Sequence, residues 1–278
     1  MTKENSGSSL STAERVGLVI DGTNASDAVK TIAAAEAEGV RQIWMTQTPF
    51  WPDTLTTLAA VATKTSAIHL GTSIVPTYPR HPLVMAQQAW SLYDIAPGRL
   101  RLGIGPSHQS IIEGIYGLPH TTPLAHMREY VNVLRTLLWE GKVYHHGKFS
   151  NVKVTLPHTA QIPVLISTLG VKAFQLAGKI ADGALSWLCP IQYLIRTGIP
   201  ALRTTAAAAN RQSAPPLVAY ISVALSQDRD SVLAAGHQPL DMYAKFPSYA
   251  KMFTDAGFSL TAGQMIPESL GDFDSLRK

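Results

Sequence analysis

The sequence predicts an α/β protein of the (β/α)8 TIM-barrel type. From residue 15 onward, short apolar runs rich in β-branched residues alternate with longer amphipathic stretches, without a break in composition. This alternation is typical of parallel strands joined by crossover helices. The chain has 278 residues, 46% of them hydrophobic and 15% charged, and a barrel with buried strands needs about 250 residues. We therefore expect a polar, flexible tail over residues 1–14 and a single barrel domain over residues 15–278.

The first half of the chain reads as successive strand-helix units. Apolar runs predict strands at 15–20, 42–45, 67–75 and 99–105. Helices are expected between them at 25–38, 53–64 and 81–95, with Asp53 capping the second helix. A longer loop then leads to residue 123, where apolar residues at helical spacing, from Met127 to Leu138, predict another helix.

The second half continues the pattern but does not complete it. Residues 141–161 look irregular, strands are expected at 163–167, 184–187 and 217–225, and a helix-rich end follows. The tail TAGQMIPESLGDFDSLRK contains no apolar β run. The sequence therefore predicts an atypical or missing eighth βα unit. An open parallel edge invites aggregation, so we expect the tail, a neighbouring helix or a second subunit to cover it.

Composition excludes several classes of protein. The net charge of +4 is scattered, without a basic run interleaved with aromatic residues, so we expect no nucleic-acid partner. The single cysteine, Cys189, permits no internal disulfide and indicates a reducing, cytoplasmic location. No apolar run approaches the ~20 residues that span a bilayer, and no signal peptide is visible. His145 and His146 would point to opposite faces of a strand, so no metal site is predicted.

Two glycine turns are candidate binding elements. Gly170 follows a buried strand and opens a helix whose first turn carries Lys172, an arrangement that suits an anion. The alternative is a tight turn with a solvated lysine. Gly103 and Gly105 end the fourth strand, but position 108 is His, the third glycine of a dinucleotide motif is missing, and no helix is expected to begin there at once. Close approach of a ligand to the backbone is the better explanation of these two glycines.

Other polar and aromatic residues follow predicted strands. Ser107 and His108 come after the fourth strand, and His108 is the best candidate for handling a proton, although a structural role is also open. An aromatic cluster that includes Gln47 follows the second strand and is expected to wall an apolar pocket; it comprises Trp44, Phe50 and Trp51. Tyr78 and Thr77 are predicted pocket residues. Asp21 could act in catalysis or cap the next helix.

Four segments together resemble a known family, the luciferase-like flavin and deazaflavin oxidoreductases, and within it the coenzyme F420-dependent branch. They are LGTSIVPTYPRHP, GRLRLGIGPSH, HMREYVNVLRTLLWEGKVYHHG and IPVLISTLGVKAFQLAGKIADGALSW, in family order across residues 16–256. The resemblance implies a TIM barrel, F420 or alternatively FMN as cofactor, and a homodimer.

The resemblance also implies roles for residues. Ser73 and Ile74 lie where the family often has a non-prolyl cis peptide behind the cofactor ring. The STLGVK segment lies where the family meets the phosphate-bearing tail of the cofactor; its candidate contacts are Ser167, Thr168, Gly170, Val171 and Lys172. Gly103, Gly105 and Ser107 would let the ring or its ribityl chain approach the barrel mouth. Arg80, His81 and Pro82 are expected to support that mouth.

The chain departs from the sugar-phosphate dehydrogenases of the family. They carry an acidic residue and a histidine after strand two and a glutamate after strand four, where this chain has Thr46-Gln47-Thr48 and Pro106-Ser107-His108. Oxidation of an alcohol usually needs such a base. We therefore predict F420-dependent hydride transfer to a small acceptor with an activated C=C, C=N or similar group, with His108, Tyr78 and Gln47 as candidate catalytic residues. The alternatives are an FMN-dependent monooxygenase fed by a separate reductase, and a non-redox flavin-binding or cofactor-free barrel protein.

Overall fold

The computed structural model describes residues 12–258, which pack as two compact units. The first holds the described residues up to Gly105 together with Asn132–Val164; the second holds Pro106–Val131 and the described residues from Leu165 onward. The predicted tail falls largely outside the described residues, and its end joins a short helix, α1 (Thr12–Arg15). The prediction about an eighth βα unit also lies outside them, apart from Gly257 and Phe258.

The first unit contains parallel strands alternating with helices. Its elements up to Gly105 are, in chain order, β1 (Leu18–Ile20), α2 (Ala25–Ala37), β2 (Gln42–Met45), α3 (Thr54–Ala62), β3 (His69–Thr72), β4 (Val75–Pro76), α4 (Pro82–Ile95) and β5 (Leu100–Gly105). Strands β1, β2, β3 and β5 pair in that order, and β4 pairs with β5. The predicted strands and helices here are confirmed to within a few residues. The predicted strand at 67–75 is interrupted at residues 73 and 74, between β3 and β4.

Two expectations for the middle of the chain are wrong. The loop after β5 contains a helix, α5 (Gln109–Gly114), which begins directly after His108. After α6 (Pro123–Glu140), the segment expected to be irregular forms a hairpin of β6 (Lys142–His146) and β7 (Asn151–Thr155). In that antiparallel pair Val143 faces Val154. The apolar contact gives the hairpin a buried face, which could not be recognised before the two strands were matched.

The second unit contains three more parallel strands and their helices. Its elements after α5 are β8 (Val164–Ser167), α7 (Val171–Ile180), β9 (Gly183–Ser186), α8 (Ile191–Tyr193), a π-helical turn (Leu194–Gly198), α9 (Ile199–Ala208), β10 (Leu217–Ala219), α10 (Arg229–Ala244) and α11 (Pro247–Asp255). Strand β9 pairs with both β8 and β10. The core of the second unit includes Phe174, Tyr193, Tyr249 and Phe253.

The strand predicted at 217–225 ends early, at Ala219. The apolar side chains that follow are exposed: Ile221 by 60%, Val223 by 78% and Leu225 completely. Extended backbone needs a hydrogen-bonding neighbour to form a strand, so the apolar pattern alone overestimated its length. None of the helices among residues 12–258 combines the length and apolar character that crossing a bilayer requires.

Candidate functional site

The segment between β3 and β4 has an unusual backbone. A non-prolyl cis peptide joins Ser73 to Ile74. The Ser73 N–H donates to the Met45 carbonyl at 2.8 Å, and the Thr46 hydroxyl donates to the Ser73 carbonyl at 2.9 Å. The Gln47 N–H donates to the Ile74 carbonyl at 3.2 Å. The predicted cis peptide is confirmed, and residues at the end of β2 hold it on both sides.

The side chain of Gln47 is engaged with the backbone around α3. Its Oε1 accepts from the Thr54 N–H at 2.7 Å, and its Nε2 donates to the Thr48 carbonyl at 3.0 Å. Both ends of the amide therefore hold the loop that precedes α3, and a catalytic role for Gln47 stays a prediction. Tyr78 is half-buried, and burial raises the pKa of its phenol, so Tyr78 keeps its proton at neutral pH.

Threonines tie the ends of β3 and β4 to β5. The buried Thr72 hydroxyl donates to the Gly103 carbonyl at 2.7 Å and accepts from the Gly103 N–H at 2.8 Å. The Thr77 N–H donates to the Gly105 carbonyl at 2.9 Å. Both glycines are buried within the sheet, and their predicted contact with a cofactor stays a prediction. Thr77 is 1% exposed and acts as a tie between strands, not as the expected pocket residue.

The aromatic cluster after β2 does not form the expected pocket wall. Trp44 is 4% exposed and packs over Gly71, where a Cβ atom would lie only 2.3 Å from the indole. Trp44 is therefore a core residue that requires glycine on the neighbouring strand. Phe50 is 74% exposed, and Trp51 is half-buried.

Arg80, His81 and Pro82 have structural roles within the first unit, and their support of a barrel mouth stays a prediction. Arg80 forms an ion pair with Asp53, the residue that caps α3 as predicted. The His81 ring accepts from the Leu83 N–H at 3.3 Å and so caps α4, in which Pro82 is the first residue.

Asp21 does not cap the helix that follows it. Its carboxylate accepts from the Thr23 N–H at 3.0 Å. Asn24 caps α2 instead, through a 3.1 Å hydrogen bond from the Asp27 N–H.

In the second unit, His108 lies in an aromatic environment. Ser107 has a positive φ of 61°, and the chain enters α5 directly after His108. The imidazole stacks on Phe246 with ring centres 3.9 Å apart, and Tyr243 and Tyr249 lie within 6 Å. Burial, assisted by His120, lowers the pKa of His108 to about 4. His108 is thus neutral at pH 7, which disfavours the predicted role of proton donor as an imidazolium.

The turn at Gly170 has the geometry that the sequence predicts. Gly170 is the N-cap of α7 and makes no side-chain cap, and a Cβ atom there would meet nothing within 4 Å. Val171 and Lys172 are exposed in the first turn, and Lys172 forms no ion pair among the described residues. Backbone N–H groups, the helix dipole and an ammonium group therefore coincide at an open surface, which fits an anionic group.

The residues just before this turn differ in availability. Ser167 ends β8 and is half-buried. Thr168 is 2% exposed, and both its N–H and its hydroxyl donate to the Leu185 carbonyl, at 2.7 and 3.1 Å. The Thr168 hydroxyl thus ties β8 to β9, and its predicted contact with the cofactor would need that bond to be shared.

Sequence reasoning missed an aromatic group beyond β9 and β10. Trp187 and Tyr220 stack with ring centres 3.9 Å apart, and Tyr243 lies 5.9 Å from Trp187. The signal available was an aromatic residue directly after each strand, but the overlong strand predicted at 217–225 concealed Tyr220. The described residues contain no cluster of three His, Cys, Asp or Glu side chains that could hold a metal.

Two relatives and one solved structure show what this chain is similar to. A Mycobacterium tuberculosis protein is 28% identical over 274 residues, covering 90% of this chain and 78% of the relative. The 5,10-methylenetetrahydromethanopterin reductase of Archaeoglobus fulgidus is 31% identical over 205 residues, covering 72% and 60%. Among solved structures, the coenzyme F420-dependent tetrahydromethanopterin reductase of Methanopyrus kandleri matches with a TM-score of 0.66 and 25% identity, covering 78% and 68%.

The comparisons and the fold agree. The alternating parallel strands and helices of both units have the α/β organisation of TIM-type structures, which confirms the predicted fold class. The family model described as luciferase-like monooxygenase matches residues 4–269. With nearly the whole chain matched, the protein belongs to the luciferase-like monooxygenase family.

Proposed function

We propose that the protein is an oxidoreductase that binds reduced coenzyme F420 and passes hydride to a small organic acceptor with an activated C=C, C=N or nitro-type group. Two of the similar proteins, from Archaeoglobus fulgidus and Methanopyrus kandleri, are named as reductases, and the second of these is named as F420-dependent. The reductive direction suits a chain in which β2 and β5 are not followed by the carboxylates that the sugar-phosphate dehydrogenases of the family carry there.

The open start of α7 is the observation that carries the proposal. A phosphate needs converging N–H donors and positive charge without competing protein groups. Gly170 leaves the helix uncapped and unobstructed, and Lys172 adds a cation. The residues present therefore fit the phosphate-bearing tail of F420, with Gly170 and Val171 contributing the turn and Lys172 a charge-assisted contact.

The deazaflavin would supply the hydride chemistry when bound, and the chain would supply orientation and protons. The segment at Ser73 and Ile74, held by Thr46 and Gln47, is the proposed support for the ring. Tyr78 retains its phenolic proton at neutral pH and is the better proton donor, because His108 is neutral and stacked on Phe246. Water is the alternative proton source.

An FMN-dependent monooxygenase is the second candidate. It is favoured by the description of the matching family, and the turn at Gly170 would accept the phosphate of FMN for the same physical reasons. A non-redox flavin-binding or cofactor-free protein is the third.

Titration of the purified protein with F420, FMN and FAD separates these three proposals. We expect F420 to bind most tightly. Lys172→Ala should weaken F420 binding about fivefold, since one charge-assisted contact is worth about 1 kcal/mol at an exposed site. Lys179→Ala is the matched control, because Lys179 is exposed in the last turn of the same helix.

The outcomes are distinct. Tighter binding of FMN than of F420 would favour the monooxygenase. If neither binds at millimolar concentration, the oxidoreductase proposal fails. Equal F420 affinity in the two lysine variants would remove Lys172 from the binding site. Oxidation of reduced F420 on mixing the protein with each of a panel of acceptors then tests the reductive direction.

A further inference from the structure

At the amino-terminal end of the strands in the first unit, neutral groups hold an arginine side chain in one orientation. Arg101 is the second residue of β5 and is half-buried. Its Nη1 donates to the Gln42 side-chain oxygen at 3.0 Å, and the Gln42 Nε2 donates to the Glu14 carbonyl at 2.8 Å. Gln42 is buried, and Gly17 leaves room for it, because a Cβ atom on Gly17 would lie 2.7 Å from Gln42 Cγ. Both ends of the Gln42 amide are thus engaged, and its oxygen fixes the guanidinium.

One edge of the Arg101 guanidinium is open. Nε and Nη2 form no hydrogen bond within the part of the chain that the structure describes, and neither atom is sealed from solvent. The N–H groups of these two nitrogens point the same way, on the edge with which arginine binds both oxygens of a carboxylate. Gln42 occupies Nη1, which lies outside this edge. The edge left open is therefore the one suited to a carboxylate.

Arg99, two residues earlier in the chain, shows the contrast. Its Nη1 donates to the Thr65 hydroxyl and its Nη2 to the Ala62 carbonyl, both at 3.0 Å, and the negative charge of Glu36 acts on it. Arg101 has no such counterion, since it forms no ion pair among the described residues, and burial lowers its pKa. A partly buried charge without a counterion is unfavourable. An anion at the open edge would therefore stabilise the ionised form of Arg101.

The charge around Arg101 favours a monoanion. His69 is paired with Gln42 at the start of β3. Burial and the positive charges of Arg101 and Arg99 lower the pKa of His69, so this imidazole is neutral at pH 7. Glu14, the acidic residue that acts on His69, is exposed, and water screens its charge. One positive charge therefore remains at the open edge, and a dianion would replace it with a net negative charge.

We propose that Arg101 binds a small monocarboxylate at the amino-terminal end of the strands. Its Nε–H and Nη2–H groups donate to the two carboxylate oxygens, while Gln42 holds the guanidinium in place. Arg101 lies at the opposite end of β5 from Gly105, where close approach of the cofactor is expected. The site is thus separate from that of the proposed function, and its test needs no cofactor.

Nitrogen-15 NMR of the full-length protein follows the Nε–H signal of Arg101 directly, and Arg101→Lys assigns this signal by removing it. Acetate, added at constant ionic strength, should shift the signal along a saturating curve. The matched control is the Nε–H signal of Arg203, which is exposed in α9 and forms no ion pair among the described residues. Acetamide, which has the shape of acetate but no charge, and chloride, a monoanion without paired oxygens, should each bind at least about tenfold more weakly than acetate.

Two variants that keep Arg101 test its surroundings through the same signal. Gln42→Met frees the guanidinium, and acetate should bind about fivefold more weakly, because a hydrogen bond that orients Arg101 is lost. Glu14→Gln should change the affinity less than about twofold, because Glu14 is exposed. If Gln42→Met does not fold, the wild-type titration and the ligand series still decide.

The outcomes that overturn the proposal are specific. The Arg101 signal would fail to saturate by about 50 mM acetate, chloride or acetamide would bind as tightly as acetate, or the Arg203 signal would respond equally. A gain in acetate affinity of about fivefold or more in Glu14→Gln would show that the Glu14 carboxylate occupies the open edge instead.

Discussion

Glu36 holds the start of β3 through backbone hydrogen bonds, and removing its charge should measurably destabilise the protein. The carboxylate on α2 accepts from the N–H groups of Ala67 and Ile68, both at 2.7 Å, and from that of Ser66 at 3.0 Å. Burial alone would raise the pKa of Glu36, but these three donors and the charge of Arg99 together lower it. The ionised form is therefore the one that the fold stabilises.

Glu36→Gln replaces two acceptor oxygens by one. The amide oxygen can keep the bonds from Ala67 and Ile68 as neutral ones, but its NH₂ group would face the Ser66 N–H. Charge-assisted bonds are about twice as strong as neutral ones, and a bond to a charged group contributes about 1.5–3 kcal/mol. Since Glu36 is only half-buried, we expect a net loss of about 2 kcal/mol.

Urea unfolding at pH 7 measures this loss. With an m-value of about 3 kcal/mol/M, the midpoint should fall by about 0.7 M. Glu38→Gln makes the same charge change two residues away on an exposed side chain and should shift the midpoint very little. Because the folded pKa of Glu36 is lowered, its contribution is present above pH 4.5 and is lost as the pH falls through the folded pKa. The gap between wild type and Glu36→Gln should narrow over that range. Equal midpoints for the two variants at pH 7, or a gap independent of pH, would refute this reasoning.

Four further predictions concern the packing of Trp44, the two buried histidines, turnover and the oligomeric state. Gly71→Ala places a Cβ atom 2.3 Å from the Trp44 ring, and it should lower the free energy of unfolding in urea by about 3 kcal/mol. The double variant Gly71→Ala, Trp44→Leu should recover part of this loss. A Gly71→Ala variant as stable as the wild type would contradict the packing. Burial lowers the pKa values of His108 and His126 to about 4. Below pH 6.5 the unfolded chain therefore takes up protons on these residues that the folded chain does not, so stability should be full above pH 6.5 and decline toward pH 4, and a flat pH dependence of unfolding would contradict this. His108→Ala should lower turnover less than tenfold, because a neutral imidazole is a weak acid. The homodimer expected from the resemblance stays a prediction. Sedimentation equilibrium at micromolar concentration should give the mass of a dimer, and the mass of a monomer would contradict it.

Local sequence signals located the elements and several of the turns. Asp53, Pro82 and Gly170 mark helix starts correctly because capping involves residues only two or three positions apart. The cis peptide at Ser73 and Ile74 followed from the family resemblance. The open turn before α7 could be predicted for the same reason as the caps, since the glycine, the helix start and Lys172 are adjacent in the chain.

Contacts between distant segments decided the rest. Burial of Trp44 depends on Gly71 in the neighbouring strand, and the hairpin at 142–155 depends on matching two strands across a turn. Strand β10 ends at Ala219, because its pairing with β9 stops at that residue. A hydrophobic pattern does not show where strand pairing stops. The stacking of His108 on Phe246 joins residues far apart in sequence. Sequence alone thus determined most of the helices and strands and the glycine turn before α7, because their causes are local. Only the tertiary structure decided the protonation of His108 and the pairing of Trp187 with Tyr220, because desolvation and ring stacking depend on which distant side chains the fold brings together.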